Sequence, residues 1–225
     1  MALDRQAVIG IVVGIAVAGA AYFYFFAASD APPPAAQQTT TSEPTVDPEE
    51  LMKPGALEDM VLGNADAKVT IVEYYSLTCP HCAAFHKETY PALKEKYLDT
   101  GKVKFVLREF PLDQVAWVAA MLTRCVDKSK FFAVTEVLLD KQRVWAGSQD
   151  PATELFNIFK QAGMTRDEFD ACQKNQELAQ NVIAVKERAE KEFNVGSTPT
   201  FFINGHLVSG AQSIEEFDKV IEPLL

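Results

Sequence analysis

The chain has 225 residues, 48% of them hydrophobic, and a formal net charge of −10. That length and apolar content suit one main domain with a single sizeable core. Residues 1–50 carry one basic and six acidic side chains, leaving 20 and 25 for the other 175, a net of −5 that argues against nucleic-acid binding.

In chain order, the first feature is "AVIGIVVGIAVAGAAYFYFFAA", Ala7 to Ala28, 22 residues without a charge. As a helix it is long enough to cross a bilayer, so residues 1–28 are expected to form an N-terminal transmembrane anchor. A cleaved signal peptide is the rival reading, with small residues at Ala27-Ala28-Ser29. The apolar run is longer than the usual signal core of about 7 to 15 residues. The aromatic cluster Tyr22 to Phe26 also sits at one end, as interfacial belts do. Arg5 precedes the span and no Lys or Arg follows until Lys53, which places the rest of the chain outside the cytoplasm. Gly10 and Gly14 give a small-residue spacing that lets membrane helices approach closely. Residues 29–50, rich in Pro, Thr, Gln and acids, read as a disordered tether.

The globular domain is expected over 51–225. "DMVLG" suggests a short edge strand from Met60, and Lys68 to Ser76 reads as a buried strand. A helix starts near Pro80, whose missing N–H costs nothing in a first turn; Phe85, Thr89, Leu93 and Tyr97 follow at intervals of four. "KVKFVLREF", 102–110, alternates Val103, Phe105 and Leu107 with Lys104 and Arg108, as a strand does. A strand–helix–strand unit of this length favours parallel pairing with a right-handed crossover.

Residues 113–193 read as a long helical insertion, in which Asp150-Pro151 opens a helix that Gly163 closes and "TRDE" at 165–168 forms a capping box. Trp117 and Trp145 are assigned to its core. Strand signals return at "TPTFFINGHLVSG", where Asn204-Gly205 marks a two-residue hairpin. Ser213 to Glu216 is expected to cap a last helix.

The chemistry concentrates in "SLTCPHCAAF", residues 76–85. A thiolate is favoured at a helix N-terminus, where unpaired N–H groups and the helix dipole stabilise negative charge. Cys79 at that terminus is expected to be the exposed nucleophile, with Cys82 one turn on to form or resolve a disulfide with it. His81 adds a donor or a charge. A zinc site lacks a second ligand pair, and haem attachment would need His where Ala83 stands. His86 is expected on the helix surface, and His206 simply follows the hairpin turn. No metal or other cofactor is expected.

"EYYSLTCPHC" together with "STPTFFING" resembles the thioredoxin superfamily, and Cys-Pro-His-Cys with a long helical insert resembles its DsbA branch. The resemblance covers about residues 57–225. It implies an α/β thioredoxin fold with an all-helical insertion, here preceded by one transmembrane helix. It further implies that Pro199 is a cis proline facing the cysteines, that the backbone at Thr198 and Pro199 holds substrate, and that Pro80 belongs to the active site. Glu73, six residues before Cys79, matches the family's buried acid, which implies a proton relay for Cys82; an ion pair with a lysine is the structural alternative. Cys125 and Cys172 lie on apolar helix faces, behind Leu122 and Phe169. Some DsbA-like proteins have a second disulfide; pairing and two free buried thiols both remain open.

The expected activity is a thiol:disulfide oxidoreductase that introduces disulfides into unfolded or reduced exported proteins. It would work on the periplasmic side of a bacterial inner membrane and be re-oxidised by a quinone-linked, DsbB-like membrane partner. Thr198 departs from the Val of the best-known DsbA oxidants and is common in isomerases and reductases, so a reductase or isomerase kept reduced by a membrane donor is the alternative. A tethered holdase or metal-binding module is the alternative of another class.

Overall fold

The computed structural model describes residues 45–225. The expected transmembrane segment and the tether as far as residue 44 lie outside the described residues, among which no helix is long and apolar enough to cross a membrane.

A five-stranded sheet organises the domain: β1 (Met60–Gly63), β2 (Val69–Tyr75), β3 (Val103–Glu109), β4 (Thr200–Ile203) and β5 (His206–Ser209), in the spatial order β1-β3-β2-β4-β5. β2 and β3 pair in parallel, Glu73 opposite Leu107, as the strand–helix–strand unit predicts; β4 joins the other edge of β2 antiparallel, Glu73 opposite Phe201. Successive side chains of a strand point to opposite faces, and here both faces are covered. Val69, Ile71 and Tyr75 enter the larger core with Phe105, Leu107 and Phe201, while Val72, Tyr74, Val106 and Phe202 enter a smaller one. Glu73, in phase with Ile71 and Tyr75, is thereby directed into the larger core, fully buried. Asn204 and Gly205, both at positive φ (46° and 84°), make the two-residue turn between β4 and β5.

Residues 45–50, assigned to the tether by composition, are docked instead. Thr45 and Val46 donate backbone N–H groups to the Gly205 carbonyl at 2.8 and 3.2 Å. Asp47 then caps the short helix α1 (Pro48–Leu51), and Leu51 is buried in the smaller core. The composition hides this, because Val46 and Leu51 are isolated apolar residues and Asp-Pro reads equally as a turn or a helix start. The same segment buries Arg108, which alternation alone puts in solvent: its guanidinium donates to Asp59 (2.8 and 2.9 Å), to the Leu51 carbonyl (2.8 Å) and to the Tyr74 hydroxyl (2.9 Å).

After β2 comes α2 (Pro80–Glu88). The helix does not run on to Tyr97 without a break: Pro91 cannot donate the next backbone bond, and the chain continues as α3 (Tyr90–Leu93) and a wide turn, Lys94–Leu98. Phe85, Thr89, Leu93 and Tyr97 are buried all the same.

The insertion between β3 and β4 consists of α4 (Gln114–Arg124), α5 (Phe131–Asp140), α6 (Gln142–Trp145), α7 (Pro151–Gln161), α8 (Arg166–Gln173) and α9 (Gln176–Phe193). Gly163 follows α7 at positive φ, and Thr165 and Glu168 form the capping box of α8. Trp145 is fully buried with its indole N–H on the Leu138 carbonyl, while Trp117, half-buried, donates to that of Ala179. Cys125 and Cys172 are joined in a disulfide, Cα–Cα 6.2 Å, which ties the end of α4 to α8 and decides the alternative left open by the sequence. The chain ends in α10 (Ile214–Ile221), at whose N-cap Ser213 makes no side-chain capping bond, contrary to the expected motif.

Candidate active site

Cys79 occupies the N-cap of α2 in extended conformation, and Pro80 takes the first helical position. The turn is held from both sides by the helical insertion. Gln142, buried in α6, donates its amide to the carbonyls of Leu77 (2.8 Å) and Cys79 (2.9 Å). Asp113, the N-cap of α4, accepts the Thr78 hydroxyl at 2.6 Å. Gln142 left no trace in the sequence, because its partners are backbone carbonyls more than 60 residues away. Asp113 could be found as a helix cap but not as a clamp.

The Thr198–Pro199 peptide is cis and lies against the cysteine pair, where the Cys79 thiol donates to the Thr198 carbonyl at 3.2 Å. This strand entry covers Cys79, which is only 4% exposed, so the nucleophile is recessed rather than exposed as expected. Its thiol is lowered to about 5, chiefly because the Cys82 thiol donates to its sulfur. The Thr198 hydroxyl, which has no other partner among the described residues, and the backbone N–H groups of Cys82 and His81 add to the effect against the cost of burial. His81 thus contributes through its amide, while its side chain is exposed.

Cys82 is fully buried, and its thiol is pushed well up by burial, by its bond to Cys79 and by the charge of Glu73. The two cysteines are therefore chemically unequal: one stabilised as a thiolate, the other held as a thiol.

Glu73 pairs with a histidine, not with a lysine. Its Oε2 lies 2.9 Å from Nε2 of His86, which is buried rather than on the surface and stacks on the Tyr90 ring at 4.9 Å. The sequence did hold this signal: His86 follows Cys82 by four residues, so both lie on one helix face and turn together toward the core. Among the described residues, no three His, Cys, Asp or Glu side chains converge as a metal site would require.

A thioredoxin family profile matches residues 56–223. The fold is shared with α-DsbA1 of Wolbachia pipientis, 31% identical, with a TM-score of 0.72 over 78% of this chain and 94% of that one. The chain belongs to the DsbA-like branch of the thioredoxin superfamily. Another structural neighbour is oxidised BdbD of Bacillus subtilis, 25% identical, with a TM-score of 0.65 over 74% and 92% of the two chains. A Rickettsia bellii protein with the provisional name protein-disulfide oxidoreductase is 38% identical over 65% of this chain. The match takes in only 57% of that relative's own length, and 62% of the Rickettsia typhi one.

Proposed function

We propose that the chain is a thiol:disulfide oxidoreductase that donates the Cys79–Cys82 disulfide to reduced exported proteins. The observation that carries this reading is the inequality of the two sulfurs. A substrate thiolate attacks Cys79, the Cys79–Cys82 bond breaks, and Cys82 leaves and takes up a proton. A second substrate thiolate then attacks the substrate sulfur of the mixed disulfide and releases Cys79 as a thiolate. Two substrate thiols become a disulfide, the active site is left reduced, and of the two protons one goes to Cys82 and one to solvent. Because Cys79 is a stabilised thiolate it is the better leaving group in the second step, and reduction of the active site is favoured. The provisional name of the Rickettsia bellii relative is consistent with this chemistry.

On this reading residues 7–28 anchor the chain in a bacterial inner membrane with the domain on the outer side, and a quinone-linked, DsbB-like oxidase regenerates the disulfide. Thr198 and Pro199 bind the substrate backbone. Thr198, a residue common at this position in isomerases and reductases, is the feature behind a second reading, a reductase or isomerase kept reduced by a membrane donor, although its hydroxyl beside Cys79 helps to lower that thiol and so works toward the donor. The test is to mix the oxidised full chain with a reduced, unfolded protein and count thiols. A donor removes two substrate thiols per chain and fails as Cys79→Ser. A reductase leaves reduced substrate untouched, and a holdase works with or without Cys79.

A further inference from the structure

Forming or breaking the Cys79–Cys82 bond changes the proton count at a sulfur that has no exposed surface. A thiolate left there without a proton would sit in the larger core beside the Glu73 carboxylate, an arrangement disfavoured by both desolvation and repulsion. The proton therefore needs a route, and the fold offers one on the side away from Cys79.

Glu73 acts on Cys82 electrostatically and touches His86 through Oε2. One proton lies in that 2.9 Å contact, whichever of the two heavy atoms carries it. Two atoms of the pair, Glu73 Oε1 and His86 Nδ1, are buried and have no hydrogen-bond partner among the described residues. Such unmet groups are expected where a proton is handed on rather than held. His86 also lines a groove of about 380 Å³ whose rim is formed by Lys87 on α2 and Glu136, Val137 and Asp140 on α5. The groups facing the imidazole are thus Glu73 from β2, Tyr90 from α3, and Glu136 and Asp140 from α5, with Lys87 beside it on its own helix. Glu136 bonds the Tyr90 hydroxyl, feels the charge of His86, and is itself raised by burial.

We propose that Glu73, His86 and Glu136 form a proton path, in which His86 carries the proton that Cys82 gains or loses between the Glu73 carboxylate and the groove. The inference rests on the Cys79–Cys82 pair being a working exchange site, not on the direction in which it runs. In reduction, an external thiolate bonds to Cys79, the disulfide bond breaks, and Cys82 receives one proton from the pair, which the groove replaces. In oxidation the same proton leaves by the same atoms. The imidazole suits the role because its two nitrogens face different partners, and it can accept at one while donating at the other.

The test is the rate at which dithiothreitol reduces the Cys79–Cys82 disulfide of the full chain, quenched by acid and alkylation across a pH series, together with the equilibrium reduction potential. His86→Gln keeps a hydrogen bond to Glu73 but carries no proton. It is expected to reduce about tenfold more slowly near pH 7, with the potential unchanged, and His86→Ala to recover when imidazole is added. Reduction of H86Q at the wild-type rate would overturn the proposal. So would a slowed variant whose potential moves by the same factor and which imidazole does not restore, because His86 would then be structural. Should the His86 variants not fold, Glu136→Gln decides: about threefold slower reduction supports the path, and the wild-type rate overturns it. A chain that exchanges with dithiothreitol but gives no disulfide to a protein sinks the donor reading and leaves this inference standing. A wild-type disulfide that does not react at all removes both.

Discussion

Replacing the acidic thiol of Cys79 by an ordinary one would change the redox balance of the site by an amount that can be worked out. A thiol at the ordinary value of 9.0 is about one-hundredth ionised at pH 7, whereas one at about 5 is almost fully ionised. The difference favours the reduced form by a factor of about 100, about 2.7 kcal/mol or about 60 mV for a two-electron couple. Solvent reaching the mouth of the site screens part of this, so the working range is about 30 to 60 mV. The sign follows from linkage. The value in the folded chain is depressed, so the stability that the group gives the reduced form is present in full above the unfolded value near 9, and it is lost as pH falls through about 5. Thiolate absorbance of the reduced chain should therefore show a midpoint near 5. The potential should fall by about 30 mV per pH unit above that midpoint, where one proton accompanies two electrons, and by about 60 mV below it. A thiolate midpoint near 8 or 9, with a slope of about 60 mV per unit throughout, would refute the reasoning.

Three further outcomes follow from the packing. Replacing both Cys125 and Cys172 by Ala opens a loop whose ends are 47 residues apart, and should cost about 4 kcal/mol in denaturant unfolding while leaving the Cys79–Cys82 potential unchanged. Gln142→Leu strands the buried Leu77 carbonyl and leaves that of Cys79 with only the Ala83 N–H, and should cost about 1 to 3 kcal/mol and slow disulfide exchange, as urea unfolding and the dithiothreitol assay would show. Arg124→Met leaves the Glu109 carboxylate, 1% exposed, without its guanidinium and should cost about 3 to 5 kcal/mol; adding Glu109→Gln should recover most of it in a double-mutant cycle.

Much of this fold could be read locally. β2, β3, the Asn204-Gly205 hairpin and the caps at Asp150 and Thr165 depend on periodicity and turn chemistry within a few residues, and each sits where the sequence puts it. The errors at Arg108, in residues 45–50 and at Cys79 share one cause, a partner distant in sequence, whereas the break at Pro91 and the missing cap at Ser213 are local. Arg108 alternates as a solvent residue should, yet Asp59, Leu51 and Tyr74 close over it. Residues 45–50 have a tether's composition but meet the β4–β5 turn. At the site, motif and helix start coincide at Cys79 and Cys82, whereas Pro199 was placed beside them by the family resemblance. The recessed state of Cys79 was not legible, since the covering segment at Thr198 lies 119 residues away. Gln142 gave no signal at all. His86 gave one, its four-residue spacing from Cys82, which outweighs the usual preference of histidine for the surface.

The central claim is that an acidic Cys79 beside a buried Cys82 makes this site a donor of disulfides. The most direct test is the reduction potential of the Cys79–Cys82 pair, measured by equilibrating the full chain with glutathione buffers at pH 7. A value near that of DsbA, about −120 mV, is the predicted result; a value near that of thioredoxin, about −270 mV, would contradict the account and point to a reductase.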